Sequence, residues 1–346
     1  MATKLAPFDW KPAELADTPT RIRAIYQTRD GDVRADVPFD EIVKLFQSNE
    51  GKLWLDIEEQ SAGPWTDLAK ELGLHPLTIE DTLSPESRIK IEEYDSYLFA
   101  VVRDANFNAK TPDPYDFETC NLYMFIGHTF LITVHSEHSQ PIVTLNERLA
   151  VGPEIMNRGI DYLTYAVLDT LVDSYFPMLD EIDDFIDELE TQIFENNDSK
   201  ETLSKVFALK RTLLALRKHQ APLREILATM ANRPTQYLAP STQIYFRDVY
   251  DHVVRQVESI ETYRDLLTGA LEIHFSVMST RMNEAMKALT VVGTFLLPAT
   301  WIASIYGMNF EWMPWLHHPL GFWVALVFMF ALSFVLWGWL KIKHWV

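Results

Sequence analysis

The chain has 346 residues, a formal net charge of −19 and a mean hydropathy of −0.06. So acidic a chain is a poor partner for nucleic acid and an attractive one for cations. Its one cysteine, Cys120, excludes an intrachain disulfide and a thiolate-rich metal site within one chain, and fits a reducing compartment.

No apolar run follows Met1-Ala2-Thr3-Lys4, so no signal peptide is expected. Ile22–Tyr26, Leu53–Ile57, Ser96–Arg103, Leu122–Ile126 and Thr129–Val134 are rich in aromatic and β-branched residues and are predicted strands. Phe39–Gln47 and Trp65–Leu72 have apolar residues at helical spacing, while Asp113-Pro114 and Gly127-His128 mark turns. This first part is expected to be an α/β or α+β domain, one mixed sheet with helices packed on it.

From about Tyr162 the strand signals stop and helical periodicity continues to the C-terminus. Helices are expected near 162–195 and 199–230, with a break at 232–241 around Pro234 and Pro240, and a third from 241 onward. The acidic run Asp180–Glu190 keeps Ile182, Phe185, Ile186 and Leu189 at helical spacing, which reads as the solvated face of a packed helix. The next helix carries Lys205, Lys210, Arg211, Arg217, Lys218 and Arg224, so an antiparallel acidic–basic helix pair is expected.

Two charge-free apolar stretches follow, Ala288–Tyr306 and Leu320–Leu340, each long enough to cross a bilayer as a helix. Arg281 and Lys287 precede the first, Lys341 and Lys343 follow the second, and the segment between has neither Lys nor Arg. The positive-inside rule then puts both termini in the cytoplasm, on the inner (plasma) membrane, with Trp312, Trp315 and Trp323 at one interface and Trp337, Trp339 and Trp345 at the other. The expected organisation is a cytosolic α/β domain over 1–160, a cytosolic long-helix region over 161–287, membrane helices over 288–306 and 320–340, an external loop over 307–319 and a basic tail over 341–346.

A single helix cannot enclose a pore, so conduction requires a ring of copies. Glu272, Ser279, Asn283, Met286, Thr290, Gly293, Leu297, Thr300 and Ser304 step by three, four or seven and share one helical face, with Leu289 beside Met286. Most are small or polar within an otherwise apolar segment, which suits a pore lining or a helix–helix contact. Met286, Leu289 and Leu297 are its apolar constrictions. In the turn Gly307-Met308-Asn309, glycine permits a tight bend and the asparagine offers a neutral oxygen. A ring of such oxygens hydrogen-bonds the waters of a hydrated cation without stripping them, which suits Mg²⁺. Glu311 lies just outside, placed to raise the local cation concentration.

Tyr306-Gly307-Met308-Asn309-Phe310 between two C-terminal membrane stretches resembles the signature of the CorA-type family of divalent-cation channels. Asn283–Thr290, Tyr245–His252 and His75–Asp81 also resemble segments of that family. The resemblance implies a funnel-shaped homopentamer in the lipid bilayer, with a cytosolic α+β domain and a pore-lining long helix. Gly307, Met308 and Asn309 would form its selectivity filter, Asn283 its inner end, and Met286 and Leu289 its gate, with Thr290, Gly293, Leu297 and Thr300 along the path. It also implies regulatory Mg²⁺ between subunits, held by Glu80, Asp81, Asp169 and Asp248. One departure stands out. Met313-Pro314-Trp315-Leu316 lacks the acid the family often carries there, and His317-His318 follow. Two imidazoles are candidate ligands for zinc, nickel or cobalt, or part of a plain interfacial loop. The expected function is a potential-driven importer of Mg²⁺, with Co²⁺ and Ni²⁺ as further cargo. A zinc transporter of the same superfamily and a non-conducting Mg²⁺ sensor are the alternatives. There is no Gly-x-x-x-x-Gly-Lys-Ser/Thr motif, so no nucleotide is implied, and no nucleophile–base pairing suggests an enzyme.

Overall fold

The computed structural model describes residues 13–14, 21–35, 37–58, 63–84, 87–108, 111, 114–135, 139–152, 154–194, 200–309, 311, 313–315 and 317–343. Asp113, Phe310, Trp312, Leu316, Trp345 and the rest of the tail after Lys343 lie outside these residues. The chain divides into two compact units, 1–268 and 269–346.

The N-terminal unit is built on a mixed sheet. Its strands are β1 (Ala13–Glu14), β2 (Arg21–Gln27), β3 (Val33–Arg34), β4 (Lys52–Glu58), β5 (Lys90–Glu93), β6 (Leu98–Phe107), β7 (Phe117–Ile126) and β8 (Phe130–His135). The order is β1-β2-β4-β8-β7-β6-β5, with β3 pairing β2. Every pairing is antiparallel except β4 with β8, where Leu53 lies opposite Phe130.

Three short helices, α1 (Phe39–Ser48), α2 (Pro64–Glu71) and α3 (Pro76–Leu83), are interleaved with the strands. Ile42, Trp65, Leu68 and Ile79 from these helices form one core with Leu55, Ile57, Phe99, Phe125 and Ile132, alternate residues of the central strands. The intervening residues Trp54, Val102, Leu122 and Leu131 are equally buried. Both faces are therefore covered, and the strands read as near-continuous apolar runs rather than alternating ones. A buried polar chain crosses the parallel pair: Trp54 Nε1 donates to Thr133 Oγ1 at 3.1 Å, and Thr133 Oγ1 donates to Asp56 Oδ1 at 2.6 Å. Each group finds a partner, as burial demands.

The helical part follows as α4 (Gln140–Val151), α5 (Glu154–Arg158), α6 (Ile160–Asp173), α7 (Tyr175–Phe194), α8 (Lys200–Asn232) and α9 (Gln243–Tyr306). Only a turn at Ser174 separates α6 from α7. The expected acidic–basic pairing differs from what forms. α8 packs on α7, but among the described residues its ion pairs run to Glu201, Glu225 and, from α9, Glu261. The α7 carboxylates Asp183 and Asp180 instead bear on Tyr263 of α9, whose phenol is pushed up by burial first and then by those two charges. Facing charges on α7 and α8 would have needed two long side chains held together at the surface, for little return.

The C-terminal unit comprises the end of α9 and α10 (Gly321–Ile342). Both helices are long and apolar enough to span a bilayer. Only 11% of the apolar window of each is buried. A core helix of a water-soluble protein would be mostly covered, so this unit needs lipid or further protein around it. Within the unit the two helices meet where Ser333 Oγ donates to the Phe295 carbonyl at 3.3 Å and where Pro298 and Ile302 are buried.

Candidate cation path and carboxylate cluster

Pro298, Ile302 and Val291 mark the side of α9 turned to α10; Pro298 and Ile302 are buried and Val291 is half-buried. Asn283, Met286, Leu289, Thr290, Leu297, Thr300 and Ser304 are exposed, and Gly293 is half-buried. At roughly 100° per residue the stripe centres about 130° around the helix from the α10 side. The small and polar residues therefore do not serve the contact between the chain's own two membrane helices. Of its apolar members, Leu289 and Leu297 stand out most, at 68% and 71% exposure. The hydroxyls of Thr290 and Thr300 donate back to the Met286 and Leu296 carbonyls, both at 2.8 Å. Their lone pairs remain available, while both hydroxyl protons are taken by the helix backbone.

Gly307 closes the helix. Its amide donates to the Ala303 carbonyl at 2.9 Å, and a Cβ added to it would lie 3.1 Å from that same oxygen. The requirement for glycine here is a close approach to backbone. Met308 is half exposed and its amide bonds the Ile305 carbonyl. Asn309 follows, exposed, and no group among the described residues bonds its amide. Glu311 is exposed on the loop beyond. Downstream, His318 Nδ1 accepts the Leu320 amide at 3.2 Å, and its ring lies 5.1 Å from that of Trp315. One of its nitrogens is thus spent on starting α10, which favours the structural reading of the His317-His318 pair.

A second cluster forms in the N-terminal unit. Gly159, at φ 126°, turns the chain into α6 in a conformation that favours glycine. Asp161 Oδ1 accepts the Tyr162 amide at 2.9 Å, and Oδ2 accepts the Thr242 hydroxyl just before α9. Near the other end of α6, Gln256 Nε2 donates to the Val172 carbonyl at 2.7 Å. These two ties fix α6 against α9. They bring together Asp169 and Asp173, one turn apart on α6, and Asp248 and His252, one turn apart on α9. Ligand atoms of Asp169, Asp173 and His252 lie within 4.8 Å of one another, with His252 Nδ1 3.4 Å from Asp173 Oδ1. Burial raises the pKa of Asp169, and the charges of Asp173 and Asp248 raise it further, while Arg148 and His252 oppose them. The Tyr165 phenol beside it is pushed up to about 12, by burial and then by Asp169, Tyr162 and Asp248. Carboxylates crowded with an imidazole suit a divalent cation, which relieves their repulsion.

Of the residues singled out in the sequence, Asp169 and Asp248 meet here. Glu80 and Asp81 do not join them within one chain. α3, which begins at Pro76 with the His75 side chain accepting the Leu77 amide, carries both near its C-terminal end. Glu80 is exposed, and Asp81 pairs with Lys90 Nζ at 2.9 Å. Burial alone would lower the Lys90 pKa, but Asp81 and Glu92 together raise it. Asp173 and His252 were missed, although two acid-bearing i, i+4 pairs were visible as spacing.

Comparison with known proteins agrees with this architecture. The family model of the CorA-like Mg²⁺ transporter protein matches residues 49–342. The cobalt/magnesium transport protein CorA of Thermotoga maritima is 34% identical over 311 residues, covering 88% of this chain and 87% of that protein. Among solved structures, the complete CorA magnesium transporter of Methanocaldococcus jannaschii superposes with a TM-score of 0.80 at 23% identity, over 94% of this chain and 98% of that one. The ZntB cytoplasmic domain from Vibrio parahaemolyticus matches less of the chain, 75%, with a TM-score of 0.60 at 14% identity, and covers 99% of that domain. A match across most of the sequence, a relative at 34% identity along nearly its whole length and a shared fold assign the chain to the CorA-like Mg²⁺ transporter family.

Proposed function

We propose that the chain assembles as a homopentamer in the inner (plasma) membrane, both termini cytoplasmic, and admits Mg²⁺ along a pore lined by α9. The membrane segments are 288–306 and 320–340, with 307–319 outside. The observation that carries this reading is the small and polar stripe of α9, exposed and turned away from α10. Its outer end leads to an asparagine whose amide has no partner among the described residues. A mere anchor needs no such face, which argues against a non-conducting sensor. The number five rests on the family resemblance. The Thermotoga maritima relative is named for both cobalt and magnesium, which supports Co²⁺, and with it Ni²⁺, as further permeant ions.

Gly307, Met308 and Asn309 form the filter, and five Asn309 oxygens bind the waters of the hydrated ion. Met286, Leu289 and Leu297 form apolar constrictions that close by shedding water. Asn283 stands at the inner mouth, with Thr290, Gly293 and Thr300 along the wall. Glu311 concentrates cations outside. No nucleotide is needed as a driver: at about 2.3 kcal/mol per unit charge per 100 mV, a divalent ion gains about 4.6 kcal/mol on entering a negative interior.

Regulatory Mg²⁺ binds between subunits. Asp169 and Asp248 of one subunit meet Glu80 and Asp81 of its neighbour, and Asp173 and His252 add donors. Asp81 must exchange Lys90 for the metal. Filled, the site favours the closed symmetric ring. Emptied as cytosolic Mg²⁺ falls, it leaves carboxylates that repel and loosen the ring, a shift set by the difference in metal affinity between the two states.

The test is flux into proteoliposomes under an inside-negative potential, with Mg²⁺ and Zn²⁺ followed separately. Potential-driven Mg²⁺ entry, lost in Asn309→Ala, is the expected result. Zinc entry that requires a proton gradient, with little magnesium flux, overturns the choice of ion. A folded pentamer that passes neither ion overturns conduction.

A further inference from the structure

A cleft of about 700 Å³ opens in the N-terminal unit between the segment leading into β5, strand β6 and helix α8. Ser87, Arg88, Arg103, Lys218, His219 and Pro222 line it. It shares no residue with the carboxylate cluster or the cation path. Its chemistry is opposite to theirs. Among the described residues lining it, every side chain with a formal charge is a cation, in a chain whose net charge is −19.

The cations are not there by default. Several basic side chains elsewhere in this unit pair with acids: Lys90 takes Asp81 and Glu92, Arg217 takes Glu261, and Lys205 takes Glu201. Arg88 and Lys218 are exposed and pair with no acid among the described residues. Arg103 is held in place. Its Nε donates to Asn121 Oδ1 at 2.7 Å and its Nη2 to the Ser87 carbonyl at 3.0 Å. Its Nη1 lies 3.5 Å from His219 Nδ1. Arg103 is thus oriented by neutral acceptors rather than by an acid, and a guanidinium with N–H groups to spare suits an oxyanion. His219 reports the resulting field: burial, then Arg103 and Lys218, push its pKa down to about 4. The imidazole is therefore neutral. If Nδ1 accepts from Arg103, Nε2 carries the proton and offers a further donor.

Three cations and a neutral imidazole around one cleft call for a polyvalent oxyanion. The volume exceeds what one phosphate fills and falls within the range of small-molecule sites. We propose that this cleft binds a soluble polyphosphate anion, recognised by Arg88, Arg103 and Lys218. This site is independent of the cation path, and its test does not depend on transport.

The experiment is isothermal titration of the purified full-length chain in detergent, free of divalent metal, with inorganic pyrophosphate as the probe. Saturable binding is expected. Arg88→Ala and Lys218→Ala should each weaken it by roughly tenfold, the loss of one charge-assisted contact. Both side chains are exposed, so the variants should melt with the wild type in the absence of probe, and Lys218→Arg should retain binding. No saturation at millimolar pyrophosphate overturns the proposal, as does binding that both alanine variants leave unchanged. Binding of dihexanoyl phosphatidylglycerol in preference to pyrophosphate overturns it in favour of a lipid headgroup.

Discussion

Replacing Asp169 by asparagine separates the cost of the empty carboxylate cluster from the gain on filling it. Asp169 and Asp173 present oxygens within 4.8 Å of each other. Two unit charges at that distance repel by about 3.5 kcal/mol at an effective dielectric of about 20. Asp173 is 55% exposed, so solvent screening reduces this to about 1 kcal/mol. Asp169→Asn keeps the shape and removes the charge. In EDTA the variant should therefore melt higher than wild type by roughly 2–4 °C for a unit of this size. Magnesium should act in the opposite sense. At a concentration one hundred times its dissociation constant it stabilises wild type by about 2.7 kcal/mol. Raising that constant tenfold cuts the gain to about 1.4 kcal/mol, and a hundredfold to about 0.4 kcal/mol. The assay is tryptophan-fluorescence melting of the full-length protein in detergent, with EDTA or with Mg²⁺. A variant that melts lower in EDTA, yet keeps the full magnesium gain, would show that Asp169 is structural and holds no metal.

Acidity should move the same equilibrium. The folded state raises the Asp169 pKa above its ordinary value. Its contribution to stability is thus fully present below the unfolded value and lost as pH rises through the raised one. The melting difference between wild type and Asp169→Asn in EDTA should vanish on acidification and widen toward neutrality; a pH-independent difference refutes the crowding argument. In Gly307→Ala the new methyl meets the Ala303 carbonyl at 3.1 Å and must shift the turn, so magnesium flux should fall while the melting of the N-terminal unit stays unchanged. Leu289→Asn places a polar group at an exposed apolar position of the stripe. On the proposed gating it should wet the constriction and raise flux at high internal Mg²⁺, where wild type would be closed; unaltered flux removes Leu289 from the proposed gate.

Much of this was legible in the amino-acid sequence because the signals were long or redundant. The two membrane stretches are charge-free over about twenty residues, long enough to span a bilayer, and their flanking charges agree with that reading. β4, β6, β7 and β8 announce themselves because both their faces are buried. Lys90–Glu93 did not, since Lys-Ile-Glu-Glu at a sheet edge has no apolar pattern to read. α3 was recognised only as part of a family-like segment, being eight residues long with its cap supplied by a histidine. The stripe on α9 was visible as spacing, but sequence alone did not say whether it met α10 or turned away. Asp173 and His252 escaped because an acid on a helix surface is ordinary. It takes tertiary contacts, among them the ties from Asp161 to Thr242 and from Gln256 to Val172, to bring the two helices into register. The α7–α8 charge match was persuasive in sequence and wrong in space, because complementary composition does not choose a partner when a third helix is in reach.

The parallel pair at the centre of the sheet also sets an order of events in time. β6 and β7 adjoin in the chain and can zip together soon after collapse. β4 must wait for β8: Asp56 and Thr133, which hydrogen-bond across that pair, are 77 residues apart. Closing a loop of that length carries an entropic toll whose length-dependent part is roughly 4 kcal/mol. Pairings of this kind form late and slow the folding of domains that depend on them. Until they form, β2 and β4 are an unfinished edge, open to the wrong neighbour. The seam between β4 and β8 is where the nascent protein is most exposed to error, and where a chaperone would have most to protect.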